Sequence, residues 1–223
     1  MADSTIYPHL RDAWIGNTGV AWALERGGAS TSGDVYDNND TRNSYGVYSR
    51  YRSGRGANTF FIRRSFFEFD LSGESGTIAS AEFKIFLDNK GTNGDPSKLI
   101  IVLCDSFDYD VSDYGNVFSS GATLGDSQSD AVQISTTAGY HTFTATAGGI
   151  ARMQTKVGTS NVYFVGLMSY TYDHQNSAPP LDGSFQQAEV FYTDYASTSQ
   201  DPKLELTYET AVTNNAIFFG TNF

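Results

Sequence analysis

Three histidines, one cysteine and 25 acidic side chains are the groups in this chain that could make or break bonds. His9, His141 and His174 lie far apart, and no Gly-x-Ser-x-Gly elbow offers a serine to any of them. Cys104 closes the apolar run from Leu99 to Cys104, a setting for a small buried hydrophobe rather than a nucleophile. Metal-ligand spacings such as His-Glu-x-x-His and Cys-x-x-Cys are absent. Carboxylates abound, but an acidic chain places most of them in solvated loops, and no pair stands out as a general acid and base. The expectation is a protein that is not an enzyme, with no catalytic residue and no cofactor.

Calcium is the one ion whose ligand type is well supplied. Asp37, Asn38, Asn39 and Asp40 form one oxygen-rich run, and Asp105, Asp108, Asp110 and Asp113 form another. Neither has the central glycine and closing glutamate of the twelve-residue calcium loop. Turn chemistry of Asx residues accounts for the first run without an ion.

Recognition chemistry is better represented than catalysis. Tyr48, Arg50, Tyr51, Arg52 and Arg55 interleave arginine with tyrosine in a chain that is otherwise acidic. Arg and Tyr are the side chains that interfaces favour, so this run is the surface-interaction candidate. Aromatic faces for stacking a sugar ring come from Trp14, Trp22, Tyr36, Tyr45, Tyr48, Tyr51, Tyr109, Tyr114 and Tyr172. Most tyrosines of a β protein are half-buried strand residues, which is the alternative for each of these.

The elements that position these groups are strands. In Arg63–Ser72, Phe67, Phe69 and Leu71 alternate with Glu68 and Asp70; in Ala79–Leu87, Ala81, Phe83, Ile85 and Leu87 alternate with Glu82 and Lys84. Period two means half-buried strands, and Gly73 to Gly76 supply a turn between them. Phe67, Phe69, Leu71, Phe83, Ile85, Phe164, Leu204 and Leu206 are the expected core. A strand is expected over Val20–Leu24, and a single short helix over Ala147–Gln154. The stretch from Cys104 to Ala131 and that from Tyr172 to Gln187 have no clear period and read as end loops.

Composition agrees. Sixteen Phe and 14 Tyr suit pleated, half-buried surfaces. A chain of 223 residues buries roughly 70% of its unfolded surface, so one sandwich needs neither disulfide nor metal to hold it. With a formal charge of −11, general affinity for nucleic acid or an anionic membrane is disfavoured. Met1 to Pro8 has neither a basic nor an apolar leader region, and no run approaches the roughly 18 apolar residues of a span.

The strand Arg63–Ser72, ending Phe69-Asp70-Leu71-Ser72, the Ala79-Ser80-Ala81 strand start and Asp201–Tyr208 together resemble the DNRLRE-type, carbohydrate-binding-module-like jelly rolls. Gly139–Thr146 and Asn161–Leu167 follow in the order that family uses. The resemblance implies an all-β, antiparallel two-sheet jelly-roll sandwich with at most one short helix and extended terminal arms. On this reading residues 1–33 form an N-terminal arm with one strand, 34–208 the sandwich, and 209–223 an apolar tail. Ile217, Phe218, Phe219 and Phe223 of that tail are the assembly candidates, because large apolar side chains gain about 1.5–3 kcal/mol each on burial.

Two functions follow as expectations. The first is a structural protein of a bacteriophage virion, a head decoration or a tail or fibre-associated jelly roll. It would assemble in the host cytoplasm with other virion proteins and with itself. The second is a glycan-binding module, an extracellular adhesin or the accessory domain of a polysaccharide-degrading system.

Overall fold

The computed structural model describes residues 3–8, 12–27, 33, 35–37, 42–91, 97–106, 108, 110–119, 123–124, 126–193 and 199–210. The tail candidates Ile217, Phe218, Phe219 and Phe223 lie outside them, as do His9, Tyr109 and Asn38 to Asp40. The fold is all-β and mostly antiparallel. Its strands are β1 (Asp3–Ile6), β2 (Ala13–Gly19), β3 (Val35–Asp37), β4 (Arg42–Arg52), β5 (Thr59–Phe69), β6 (Ile78–Gly91) and β7 (Lys98–Leu103). They continue as β8 (Phe118–Ser119), β9 (Thr123–Leu124), β10 (Val132–Gln133), β11 (Gly139–Thr144), β12 (Tyr163–Ser169), β13 (Gln186–Phe191) and β14 (Lys203–Tyr208).

Twelve of these strands share one hydrogen-bonded sheet that doubles back on itself. One layer runs β1-β14-β6-β11 and the other β5-β12-β7-β10. The layers join on one side because two long strands change partners along their length. The first half of β6 pairs β14, whereas residues from Leu87 to Gly91 pair β13. Strand β13 pairs β4, and β4 pairs the first half of β5. At the point where β4 and β12 part, Ser65 Oγ donates to the Gly46 carbonyl at 2.9 Å. A side chain on Gly46 would sit 2.6 Å from Val190 Cγ2, so only glycine fits this crossing.

Alternation places Phe67, Phe69, Phe83, Ile85, Leu87, Tyr163, Val165, Leu204 and Leu206 between the layers, with Leu71 beside them. Phe164 differs from expectation. It pairs Glu68 in register, on the opposite face from Val165, and is only partly buried against a second cluster. That cluster, with Ile15, Ile62, Phe66, Val102, Tyr114 and Met168, lies on the outer face of β2, β5, β12 and β7. At its centre Arg64 is fully buried and forks onto Asp173, Nε to Oδ2 at 2.7 Å and Nη2 to Oδ1 at 2.8 Å. Its Nη1 and Nη2 also donate to the carbonyls of Tyr114 and Arg26, at 2.8 and 2.5 Å.

Helix is scarce but not confined to one element. α2 (Ala147–Gln154) falls where expected, capped by Thr146 Oγ accepting from the Gly149 amide at 3.0 Å. α1 (Trp22–Arg26) replaces the strand expected over Val20–Leu24. Gly27 ends it at φ 111°, which glycine adopts without strain, and donates back to Ala23 and Leu24. Tertiary contacts decide this segment. Trp22 packs against Phe60 and donates to Asn176 Oδ1 at 3.1 Å, while Arg26 Nε donates to the Asp173 carbonyl at 2.6 Å. A 3-10 turn over Val111–Gly115 and a π turn over Tyr170–His174 complete the cover of the outer cluster. β1 and β2 pair β14 and β5, so residues 1–33 contribute two strands to the sheet besides α1.

Candidate functional site

The β4–β5 hairpin carries the arginine and tyrosine run. Arg50 faces Phe61 and Tyr48 faces Arg63 across the pair, and paired residues of an antiparallel ladder point to the same side. Tyr48, Arg50 and Arg52 therefore share a face with Phe61 and Arg63. Along β5 the same side continues into Ser65 and Phe67, whereas on β4 Val47, next to Tyr48 and on the opposite side, joins the inner core. Tyr51 points the other way, stacked flat on Phe60 with centroids 3.9 Å apart. Arg55 sits exposed in the connecting turn. Of the five candidates from the sequence, the fold brings together Tyr48, Arg50 and Arg52 and separates the other two.

Partners from elsewhere complete the face. The Arg63 guanidinium lies 4.2 Å from the Trp14 ring centroid and 5.3 Å from that of Tyr45. Arg50 lies 4.5 Å over Phe185, with Nη1 at 3.5 Å from Tyr48 Oη. Its Nε is buried with no hydrogen-bond partner. Tyr45 is 43% exposed and meets the 6%-exposed Tyr48 edge to face at 5.1 Å. Tyr45, Tyr48, Arg52, Phe61 and Arg63 line a cleft of about 150 Å³. Asp182 stands beside them and accepts from the Ser53 amide at 3.0 Å. Hydrogen bonds from Ser53 hold the Asp182 carboxyl below its ordinary range, and the charges of Arg50 and Arg52 add to this. Arginine laid on aromatic rings keeps its charge available to a ligand, because a ring attracts the cation without neutralising it.

Sequence reasoning missed Phe61, Arg63 and Phe185 as members of this face. Only the pairing register puts Phe61 and Arg63 beside Arg50 and Tyr48, and no local pattern encodes that register.

A second cleft, about 400 Å³, is lined by Lys98, Ser127, Ser129, Asp130, Thr146, Tyr170 and His174, with Ile100 and Ala131. Lys98 Nζ lies 4.8 Å over the Tyr170 ring, which stacks on His174. The Ser127 hydroxyl is 3.1 Å from His174 Nε2, a proximity no sequence motif announced. Gln175 Nε2 lies 3.0 Å from His174 Nδ1, and an amide N–H can only donate. The ring proton is thereby assigned to Nε2, which donates to Ser127 Oγ rather than accepting its proton. Asp173, the neighbouring carboxylate, is turned away onto Arg64 and Arg26.

The other sequence candidates are structural in their surroundings. Burial pushes the Cys104 thiol up, and its Sγ donates to the Ser106 carbonyl at 3.0 Å. Trp14, Tyr114 and Tyr172 are buried, which withdraws them as sugar platforms. The Asp113 carboxylate accepts from the amides of Asp108 and Asp110 at 2.9–3.0 Å and from Asn116 Nδ2 at 2.8 Å. Its oxygens organise the loop as acceptors of N–H groups. Among the described residues no three His, Cys, Asp or Glu side chains converge as a metal set, and no helix is long and apolar enough to cross a membrane.

No protein-family model matches this chain, and no curated protein does.

Proposed function

We propose that the chain is a non-enzymatic structural protein that works by docking, of the kind a bacteriophage carries on its head or tail. The observation that supports this is the Arg–aromatic face of the β4–β5 hairpin. It concentrates Arg50, Arg52 and Arg63 with Tyr45, Tyr48, Phe61 and Phe185 on an acidic protein. Such a surface has the composition of an interface hot spot, large aromatic area with arginine, rather than that of a solvated sheet. Density-gradient fractions of lysates from producing cells provide the test, probed with antibody to the chain. Co-migration with particles is expected, together with its loss for Arg52→Glu. Recovery of the native chain only as free protein overturns the reading.

A glycan-binding module is the second reading, favoured by the 400 Å³ cleft. Its size falls in the range of small-ligand sites, and it combines Lys98, Ser127 and Asp130, a donor and acceptor set that suits a hydroxylated ring. Glycan-array binding that depends on Lys98 and Asp130 would select this reading.

A further inference from the structure

We infer that the cleft between Tyr45, Tyr48, Arg52, Phe61 and Arg63 takes a carboxylate-bearing segment of a protein partner, an Asp or Glu side chain flanked by apolar residues. This rests on the docking reading and names the chemistry of what docks.

Three observations carry it. The first is charge. The face holds Arg50, Arg52 and Arg63; Asp182, which accepts from the Ser53 amide, offsets part of the charge of Arg50 and Arg52. Arg50 and Arg63 are set against rings, and Arg52 is exposed at the rim. A planar guanidinium fork matches a carboxylate, and a ring behind it holds the fork in place.

The second is size. At about 150 Å³ the cleft is smaller than the roughly 300–1,000 Å³ of small-molecule sites. It accepts one or two side chains and not an oligosaccharide. Its floor is the buried ring of Tyr48 and its wall the half-exposed Tyr45, so the occupant is apolar beside its charge.

The third is the charge of the whole chain. A net −11 opposes the approach of a uniformly anionic polymer, whether nucleic acid or polyuronate. A short acidic segment needs only the local field of the arginines, over a Debye length of about 8–10 Å at ordinary salt.

Fluorescence anisotropy of the full chain with a labelled peptide of alternating Glu and Phe tests this directly. The controls are the matching Gln and Phe peptide and an oligogalacturonate. The acidic peptide is expected to bind, and the Gln peptide to bind at least about tenfold more weakly. Arg52→Glu should abolish binding, Tyr45→Ala should weaken it, and Arg52→Lys should restore only part, because an ammonium lacks the fork. Arg52 and Tyr45 are exposed, so both variants should keep the native melting curve. Equal binding of both peptides, binding unchanged in Arg52→Glu, or preference for the oligogalacturonate overturns the inference. Absence of any peptide binding also overturns it. If Arg52→Glu nevertheless loses co-migration with particles, the docking reading survives and only the carboxylate partner falls.

Discussion

Arg63 and Arg64 are neighbours in one strand and have opposite fates. Strand geometry sends them to opposite faces. Arg64 enters the outer cluster, where it makes four hydrogen bonds, two to the Asp173 carboxylate and two to backbone carbonyls, and its cation lies 4.1 Å from the Tyr114 ring. Burial by itself lowers the Arg64 pKa, but the charge and hydrogen bonds of Asp173 outweigh it and hold the guanidinium firmly protonated. Arg63 instead lies on Trp14, against rings and beside a cleft. A buried cation ringed by acceptors holds elements together, whereas Arg63 is set against the rings of Trp14 and Tyr45 beside a cleft. The contrast is between an arginine that ties elements together and one that lines a cleft.

Removing the anion that Arg64 depends on should have the largest effect. Asp173→Ala leaves a desolvated guanidinium without its partner, and such losses cost about 3–5 kcal/mol. Urea unfolding should register this, and the contacts of α1 and the 3-10 turn should loosen, since Arg26 and Tyr114 share the network. A cost under about 1 kcal/mol would show that the outer cluster stands by packing alone.

Arg63→Leu should cost about 1 kcal/mol, the value of a cation set on an aromatic ring in part-buried surroundings. A loss as large as that of Asp173→Ala would erase the distinction between the two faces.

A different pair of groups sharpens the comparison through pH. His141 Nε2 accepts from the Ser135 amide at 2.8 Å, and Nδ1 faces the Gly139 carbonyl at 3.0 Å, so the ring is neutral and doubly tied. Burial depresses its pKa below the ordinary 6.5, with the Gly139 bond opposing. His174 is likewise depressed by burial, with the Asp173 charge opposing. The unfolded chain then binds protons more readily, so this contribution is whole above about pH 6.5 and is lost as pH falls below it. Melting temperature should decline between pH 7.5 and 5. In His141→Gln, whose amide accepts from Ser135 without titrating, the decline should be shallower; an unchanged slope would remove His141 from the account.

The smallest effect is expected on the solvated face of β6 and β14. There Lys84 bridges Glu82 and Glu205 at 3.5 and 2.5 Å, and Lys203 adds a bond to Glu205 at 2.9 Å. Hydrogen bonds from Lys84 and Lys203 lower the Glu205 pKa, so its contribution is present above the unfolded value and fades as pH drops through the folded one. These side chains are part-exposed and screened, and Lys84→Ala should cost no more than about 1 kcal/mol. High salt should erase that difference while leaving the effect of Asp173→Ala intact.

Much of the sandwich was legible in the sequence. Period-two runs in β5, β6 and β14 named Phe67, Phe69, Phe83, Ile85, Leu204 and Leu206 as core, because alternation alone assigns a side chain to one of two faces. The short helix expected over Ala147–Gln154 formed there as α2, with Thr146 as its cap. Which face is inside is not local. Phe164 and Val165 are both apolar, and only pairing with β5 and β7 decided that Val165 goes in. The same holds for Val20 to Leu24, where an ambiguous apolar run became helix to serve Phe60 and Asp173. The candidate site divides likewise. Tyr48, Arg50 and Arg52 share a face by alternation, which the sequence determines by itself. Their association with Tyr45, Phe61, Arg63 and Phe185 depends on strand register and chain return, and these are settled by which buried surfaces pack best across the whole fold.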